Sequence, residues 1–248
     1  MITGIFHQGS GVGNQLHRYV ATRVLALDRG YEFSMLAPDL CKASSFMKLD
    51  MGKKSDIPYL VEAGSGRVCP QANNLWQERT PYYNPEFNFI EDNTIIDGEF
   101  QDERYFEHRL KEVDKWLKVQ PLKMSSDLCI IGFRGGEFAI YPELFLPIKY
   151  WTDAVDKMLK INPKMKFQVV TDDPELAKKI FPFEVTHEAG MDWRKCRYAK
   201  YAIISNSSFY ILPRLLNKGV TIAPRYWARR NIKQWSMPQN YYSCFSYI

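Results

Sequence analysis

Residues 202–209, AIISNSSF, join an apolar run to a turn of small polar residues. The apolar start, 202–204, predicts a buried strand, and the mainly apolar residues 210–214 predict a helix after the turn. A strand that turns into a helix in this way exposes hydroxyls and backbone N–H groups beside the positive end of the helix dipole. The stretch therefore predicts an α/β fold with a phosphate site. We expect three residues of the turn to bind phosphate: Asn206, Ser207 and Ser208.

Two predicted strands upstream also end in polar residues. The apolar run 128–133 is followed by Arg134, and the run 167–170 leads to Asp172 and Asp173. Ligands in open parallel sheets bind at the carboxyl ends of strands, so these side chains are candidates for one site. A guanidinium matches phosphate oxygens with paired hydrogen bonds. The alternatives are an ordinary surface arginine and a pair of aspartates that cap the helix predicted to begin at Pro174.

Two acidic residues follow Arg134 closely. Glu137 and Glu143 are candidate general bases, since a carboxylate can take a proton from an attacking hydroxyl. The alternative for each is an ordinary solvated side chain.

The N-terminal residues predict a second strand, loop and helix. Residues 1–6 predict a strand, the glycine-rich loop 9–13 follows, and 14–29 predict a helix with Asn14 as its N-cap. The loop lacks the Lys-Ser/Thr pair of a P-loop, so a tight turn is the alternative to a phosphate cradle. His7 and His17 flank it, and structural roles are the more common ones for such single histidines.

Short apolar runs alternate with amphipathic stretches along the 248 residues, which indicates an α/β protein with mostly parallel sheets. We predict two domains, 1–120 and 121–248, the second opening with a linker at 121–126. Residues 41–93 show little periodicity and predict long loops with short helices. Later helices are predicted at 148–161, 174–180 and 193–200, and a last strand at 220–223.

Composition limits the function classes. The net charge of +5 suits a phosphate-bearing small ligand as well as it suits nucleic acid. We find no apolar run of membrane-spanning length and no signal-peptide pattern, and expect a cytoplasmic protein without a transmembrane segment. The five cysteines form no CxxC pair, so we expect buried thiols and no metal site. The basic run 225–230, RYWARR, could contact nucleic acid, although a solvated helix start or a lid over a donor is the favoured interpretation.

Five segments resemble one family in their order along the chain. GVGNQL at 11–16 resembles the GxGNQ loop of the alpha-1,2-fucosyltransferases and their GDP-fucose-dependent superfamily, and EFQDERYF at 99–106 is similar to their G-Y-x-Q-x-x-K-Y-F segment. FRGGEF at 133–138 lies where they carry HxRRxD, while TDD at 171–173 and NSSF at 206–209 resemble [ST]-D-D and N-S-[ST]-F. The resemblance spans nearly the whole chain.

Four departures from that pattern bear on function. Gly132 stands where the family has the His of HxRRxD, Gly135 replaces its second Arg, and Glu137 replaces its Asp. The aromatic pair that follows N-S-[ST]-F is replaced by YILPR at 210–214. The loss of the His at position 132 concerns how the nucleotide base is held. The replaced aromatic pair at 210–214 concerns the identity of the sugar.

The resemblance implies an α/β, GT-B-like fold with two Rossmann-like lobes facing a central cleft. The acceptor would lie on the N-terminal lobe and the nucleotide sugar on the C-terminal lobe, with no metal and no cofactor. Arg134 would contact the donor diphosphate, Asp173 with Asp172 the guanosine, and Ser207 and Ser208 phosphate. Three residues of the first lobe would approach the reacting sugar or the diphosphate: Gly11, Gly13 and Asn14.

The function expected from these features is inverting transfer of L-fucose from GDP-fucose to a hydroxyl of a glycan acceptor. Three alternatives stay open: transfer from another nucleotide sugar, a catalytically silent protein that binds nucleotide sugars or glycans, and a nucleic-acid-binding module built on residues 225–230. We expect no nucleic-acid partner. The oligomeric state is left open.

Overall fold

A computed structural model describes residues 1–78, 82–225 and 242–248 of the chain. These residues form two compact units, Met1–Val119 and Gln120–Ile248. Of the basic run 225–230, only Arg225 belongs to the described residues, so the interpretations of that run lie outside them.

The first unit contains a parallel sheet of four strands in the order β2-β1-β6-β5, together with a separate antiparallel pair, β3 and β4. Its elements are β1 (Ile2–Ile5), α1 (Val12–Arg29), β2 (Phe33–Leu36), β3 (Tyr59–Val61), β4 (Val68–Pro70), β5 (Leu75–Gln77), β6 (Thr94–Asp97) and α2 (Leu110–Trp116).

Helix α1 begins earlier than the sequence predicts. Gly11 is its N-cap and lacks a side-chain capping bond, so the prediction that Asn14 caps the helix is wrong. The helix ends at Gly30, whose positive φ of 69° lets its N–H reach the last carbonyls of the helix. Leu16, Val20 and Val24 are buried as their helical spacing predicts, whereas Leu27 is exposed beside this end.

The second unit is built on one sheet of six strands. Its elements are β7 (Leu128–Phe133), α3 (Ile148–Ile161), β8 (Lys166–Thr171), α4 (Pro174–Ile180), β9 (Glu184–Thr186), α5 (Ala189–Tyr198), β10 (Tyr201–Ile204), α6 (Ser208–Leu215), β11 (Val220–Ala223) and β12 (Ser246–Tyr247). Buried apolar residues of β7, β8, α3 and β10 form its main core.

The strand order of this sheet locates its ligand crevice. All neighbouring strands are parallel, and the order is β9-β8-β7-β10-β11-β12. In chain order within the unit this is 3-2-1-4-5-6, the order of the Rossmann fold. The connections change direction between β7 and β10, and ligands of such sheets bind at the carboxyl ends of the strands beside that point.

Most elements of the second unit agree with the sequence analysis, and the exceptions are α5 and two short strands. Helix α5 begins at Ala189 and ends at Tyr198, so the predicted bounds 193–200 are wrong. The predicted bounds of β7, α3, α4 and β11 match the structure. Strand β9 has three residues and was not predicted, because so few residues show no period; the same holds for β5 in the first unit. Strand β12 follows β11, so the expectation that β11 is the last strand is wrong.

The structure also bears on two expectations from composition, the burial of the cysteines and the lack of a membrane-spanning segment. Cys41, Cys129 and Cys196 are buried, but Cys69 is half-buried and Cys244 is exposed, so the expectation of five buried thiols is wrong for those two. Within the described ranges, no helix combines the length and hydrophobicity of a membrane-spanning segment.

A buried arginine holds the far end of α6. Arg214 is fully buried, and burial lowers the pKa of its guanidinium to about 10, so it is charged at neutral pH. It donates to the carbonyl oxygens of Cys196 and Ala199 at the end of α5, each over 2.8 Å, and to Thr221 Oγ1 in β11 over 2.9 Å. One side chain therefore ties α6 to α5 and β11.

We predict that Arg214→Ala lowers the free energy of unfolding by about 3 kcal/mol, because it leaves several buried carbonyl oxygens without donors. Urea denaturation would measure the change. Lys218→Ala, at an exposed position four residues away, is the control and should change stability by less than about 0.5 kcal/mol. A loss at Arg214 no larger than the control would contradict this role.

Candidate functional site

The loop after β7 presents Arg134 at the predicted crevice, held by two carboxylates. Arg134 Nη1 lies 2.7 Å from Asp172 Oδ2, and Nη2 lies 3.0 Å from Glu137 Oε1. The Arg134 side chain is 28% exposed, so the guanidinium is oriented and still open to a ligand. The structure thus brings Arg134 and Asp172 together, as their positions at neighbouring strand ends predict.

Asp172 uses both carboxylate oxygens to hold this loop. Besides the pair with Arg134, its Oδ1 accepts a hydrogen bond from the Gly135 N–H over 2.9 Å. The Asp172 carboxylate lies so close to this loop that the loop requires small residues. A Cβ on Gly136, whose φ is 37°, would lie 2.3 Å from Asp172 Oδ2. A Cβ on Gly135 would lie 2.6 Å from Asp173 Cβ, so this position also requires a small residue in this structure.

Asp173 caps α4, which is one of the two interpretations that the sequence left open. Its Oδ1 accepts from the Leu176 N–H over 3.0 Å, and Pro174 occupies the first helical position. One carboxylate oxygen of Asp173 is used by the cap, and Oδ2 remains at the end of β8. Asp172 therefore holds the loop after β7, whereas Asp173 caps α4.

The turn after β10 forms the other side of the crevice. Ser207 is the N-cap of α6, and its Oγ accepts from the Phe209 N–H over 3.4 Å. Asn206 is buried and donates through Nδ2 to the Leu144 carbonyl over 2.9 Å, which ties this turn to the loop after Glu143. Ser208 is the first residue of the helix and is half-buried.

The Tyr210 side chain connects the ends of β7 and β8. The sequence analysis names this residue only as part of the segment 210–214. Its buried hydroxyl lies 3.0 Å from the Phe133 carbonyl and 3.2 Å from the Val170 carbonyl, near the ends of β7 and β8. Its ring lies over Gly132, where a Cβ would come within 2.7 Å of a ring carbon. Tyr210 therefore fills the space next to the position where the family carries His, and Gly132 is the residue that permits it.

The two candidate bases lie in different surroundings. Glu137 is 63% exposed and pairs with Arg134, so its Oε1 acts as a counterion in this structure. Glu143 is half-buried, and no ion pair to it is found among the described residues. The geometry keeps both as candidates.

The first unit has its own polar cluster at the carboxyl ends of β1 and β6. His7 Nε2 lies 2.8 Å from Asp97 Oδ1, and His7 Nδ1 accepts from the Val68 N–H over 2.9 Å, so Nε2 carries the proton of the neutral ring. Burial alone would raise the pKa of Asp97, but the bond from His7 and the charges of Arg18 and Arg67 bring that pKa below its ordinary value. Both ring nitrogens of His7 are occupied, which supports a structural role.

Arg18 joins the glycine loop to the end of β6. Its buried guanidinium donates to Gly98 O, Ser10 Oγ and Glu99 Oε1, each over 2.6 Å. The sequence analysis did not single out Arg18, because an arginine inside a helical pattern resembles any surface cation. Its side chain therefore ties α1 and the loop before it to the residues that follow β6.

The predicted site residues of the first unit are spread over the start of α1. Gly11 is exposed, Gly13 is buried, and Asn14 Oδ1 accepts from Gln101 Nε2 over 3.1 Å. His17 lies one turn further on and is fully buried. Burial lowers its pKa to about 4 although it bonds the Gly13 carbonyl, so it is neutral and structural.

Two solved structures have a similar fold. NodZ alpha-1,6-fucosyltransferase, in a crystal soaked with GDP-fucose, is similar with a TM-score of 0.51 and 15% identity, over 88% of this chain and 92% of that one. A mutant of Arabidopsis thaliana FUT1 in complex with GDP gives a TM-score of 0.51 and 9% identity, over 92% of this chain and 71% of that one. No family model and no curated protein sequence matches the chain. The structural comparisons confirm the predicted α/β, GT-B-like fold.

We predict that Gly132→Ala destabilises the protein by about 1–3 kcal/mol, because the new methyl group collides with the Tyr210 ring. Thermal and urea unfolding would measure the loss. Lys218→Ala, at an exposed position outside the strands and helices, is the control.

The same change in a Tyr210→Ala background should cost less, because the colliding ring is gone. Equal costs in the two backgrounds would show that Tyr210 does not set the requirement for Gly132.

Proposed function

We propose that the protein is a glycosyltransferase that transfers L-fucose from GDP-fucose to a hydroxyl of a glycan acceptor, with inversion and without a metal. The observation that carries the proposal is the position of Arg134. It lies at the turning point of a Rossmann-ordered sheet, oriented by Asp172 on the next strand. NodZ alpha-1,6-fucosyltransferase and the GDP-bound FUT1 mutant share the fold, which favours GDP-fucose among nucleotide sugars.

Arg134 is proposed to bind the donor diphosphate. Breaking the glycosyl–phosphate bond builds negative charge on the leaving diphosphate, and preorganised donors stabilise that charge. The guanidinium can release Glu137, which is exposed, and keep Asp172, which is fixed to the loop backbone through Gly135. A diphosphate would then replace Glu137 as the counterion.

The turn after β10 is proposed to bind the phosphates from the other side. Ser208 begins α6, so its hydroxyl and the first N–H groups of the helix lie at the positive end of the helix dipole. Ser207 and Asn206 are proposed to hold this turn in place through the N-cap bond and the bond to the Leu144 carbonyl.

Transfer with inversion requires the acceptor hydroxyl to attack the anomeric carbon from the face opposite the diphosphate. The new C–O bond forms as the bond to the diphosphate breaks, and the hydroxyl proton passes to a base. Glu137 and Glu143 are the candidates. Gly11, Gly13 and Asn14 keep the role that the resemblance implies, contact with the reacting sugar or the diphosphate.

Several parts of the proposal rest on the sequence alone. These are the assignment of the acceptor to residues 1–120 and of the donor to 121–248, the cytoplasmic location, and the absence of a cofactor and of a nucleic-acid partner. Among the described residues, no three His, Cys, Asp or Glu side chains are grouped as metal ligands would be.

A panel of nucleotide sugars and nucleotides tests the function. Thermal unfolding should show a higher midpoint with GDP and GDP-fucose than with UDP-, ADP- or CMP-linked donors, because a ligand stabilises only the fold that binds it. No shift with any guanine nucleotide would contradict the proposed donor.

Replacing Arg134 with Ala should weaken GDP binding by roughly 100-fold and abolish transfer, since a charge-assisted bidentate contact is lost. Calorimetric titration with GDP would measure the binding. Arg29→Ala, at an exposed position in the first unit, is the matched control and should bind GDP normally. Transfer within a few-fold of the unmodified protein would show that Arg134 is not the diphosphate ligand.

A further inference from the structure

An exposed histidine at the edge of the second sheet is held in a defined orientation. His187 directly follows β9, and its Nδ1 lies 2.6 Å from the carbonyl oxygen of Thr171, the last residue of β8. A carbonyl oxygen can only accept, so Nδ1 carries the proton and donates it. Nε2 of the neutral ring is then a hydrogen-bond acceptor on an exposed side chain.

The strand order places this acceptor in line with the candidate phosphate ligands. Ser208 follows β10, Arg134 follows β7, Asp173 follows β8 and His187 follows β9, and these four strands are successive neighbours. Neighbouring strands lie about 4.8 Å apart, so the row extends over roughly 14 Å. That length suits an extended nucleoside diphosphate.

The topology also sets the direction of such a ligand. In the Rossmann order, phosphates lie at the first strand and an acidic residue after the second strand binds the ribose. Strand β7 is first here and β8 is second, so Oδ2 of Asp173, the oxygen that the α4 cap does not use, lies at the ribose position. The base then extends toward the third strand, β9, and reaches His187.

We propose that Nε2 of His187 accepts a hydrogen bond from an N–H group of the donor's nucleobase, an inference that rests on the proposed function. Guanine presents two such donors on one edge, the ring N1–H and the exocyclic amino group. The Thr171 carbonyl fixes the tautomer that makes Nε2 an acceptor. His187 is thus a base-recognition residue at the end of β9.

Two replacements distinguish the contribution of Nε2 from the contributions of the aromatic ring and of the hydrogen bond to Thr171. His187→Phe keeps a ring and removes both polar atoms, while His187→Asn keeps a donor near the Nδ1 position and removes the distal acceptor. Calorimetric titrations would use GDP, 2′-deoxy-GDP and inorganic pyrophosphate. Both variants should bind GDP and 2′-deoxy-GDP about tenfold more weakly than the unmodified protein, with pyrophosphate binding unchanged.

The control is His108→Phe in the first unit, an exposed histidine that pairs with Asp28. It should bind every probe normally. Normal GDP binding by either His187 variant, a loss that disappears with 2′-deoxy-GDP, or an equal loss of pyrophosphate binding would each overturn the inference. If the unmodified protein binds GDP and a His187 variant binds it equally, only this inference fails, whereas no GDP binding by the unmodified protein removes the proposed function as well.

Discussion

The carboxylate of Asp172 is the contact on which the candidate site depends. One oxygen binds the Arg134 guanidinium and the other accepts from the Gly135 N–H, so a single side chain at the end of β8 fixes both the backbone and the charged tip of the neighbouring loop. Holding a cation in place before a ligand arrives lowers the cost of reorganisation when charge develops. Glu137, which is more exposed, is the partner that a ligand can replace.

Two positions that differ from the resembled motifs lie against each other in space. Gly132 and Tyr210 replace two positions of the pattern, and the structure shows that the ring of one occupies the space that a side chain on the other would need. A side chain at position 135 would in turn meet Asp173. The altered residues therefore preserve the packing of the strand ends while the position of Arg134 is kept.

The sequence predicted the second unit better than the first, for physical reasons. Long apolar strands and amphipathic helices carry a clear period, so β7, α3, α4 and β11 could be bounded from residues alone. Three-residue strands such as β5 and β9 carry none, and without β9 the position of His187 at the sheet edge could not be foreseen. The bond of Asp172 to Gly135 joins residues 37 positions apart in sequence, and the bond of Arg18 to Glu99 joins residues 81 positions apart. Only the folded chain brings these partners together.

The central claim is that a nucleoside diphosphate lies across the carboxyl ends of β10, β7 and β8, with its phosphates on Arg134. A crystal structure of the protein with GDP tests this most directly. We predict diphosphate oxygens within hydrogen-bond distance of the Arg134 guanidinium, Asp172 still bound to Arg134 and the Gly135 N–H, and Glu137 displaced. GDP bound elsewhere, or bound with Arg134 still paired to Glu137 and away from the phosphates, would contradict the account.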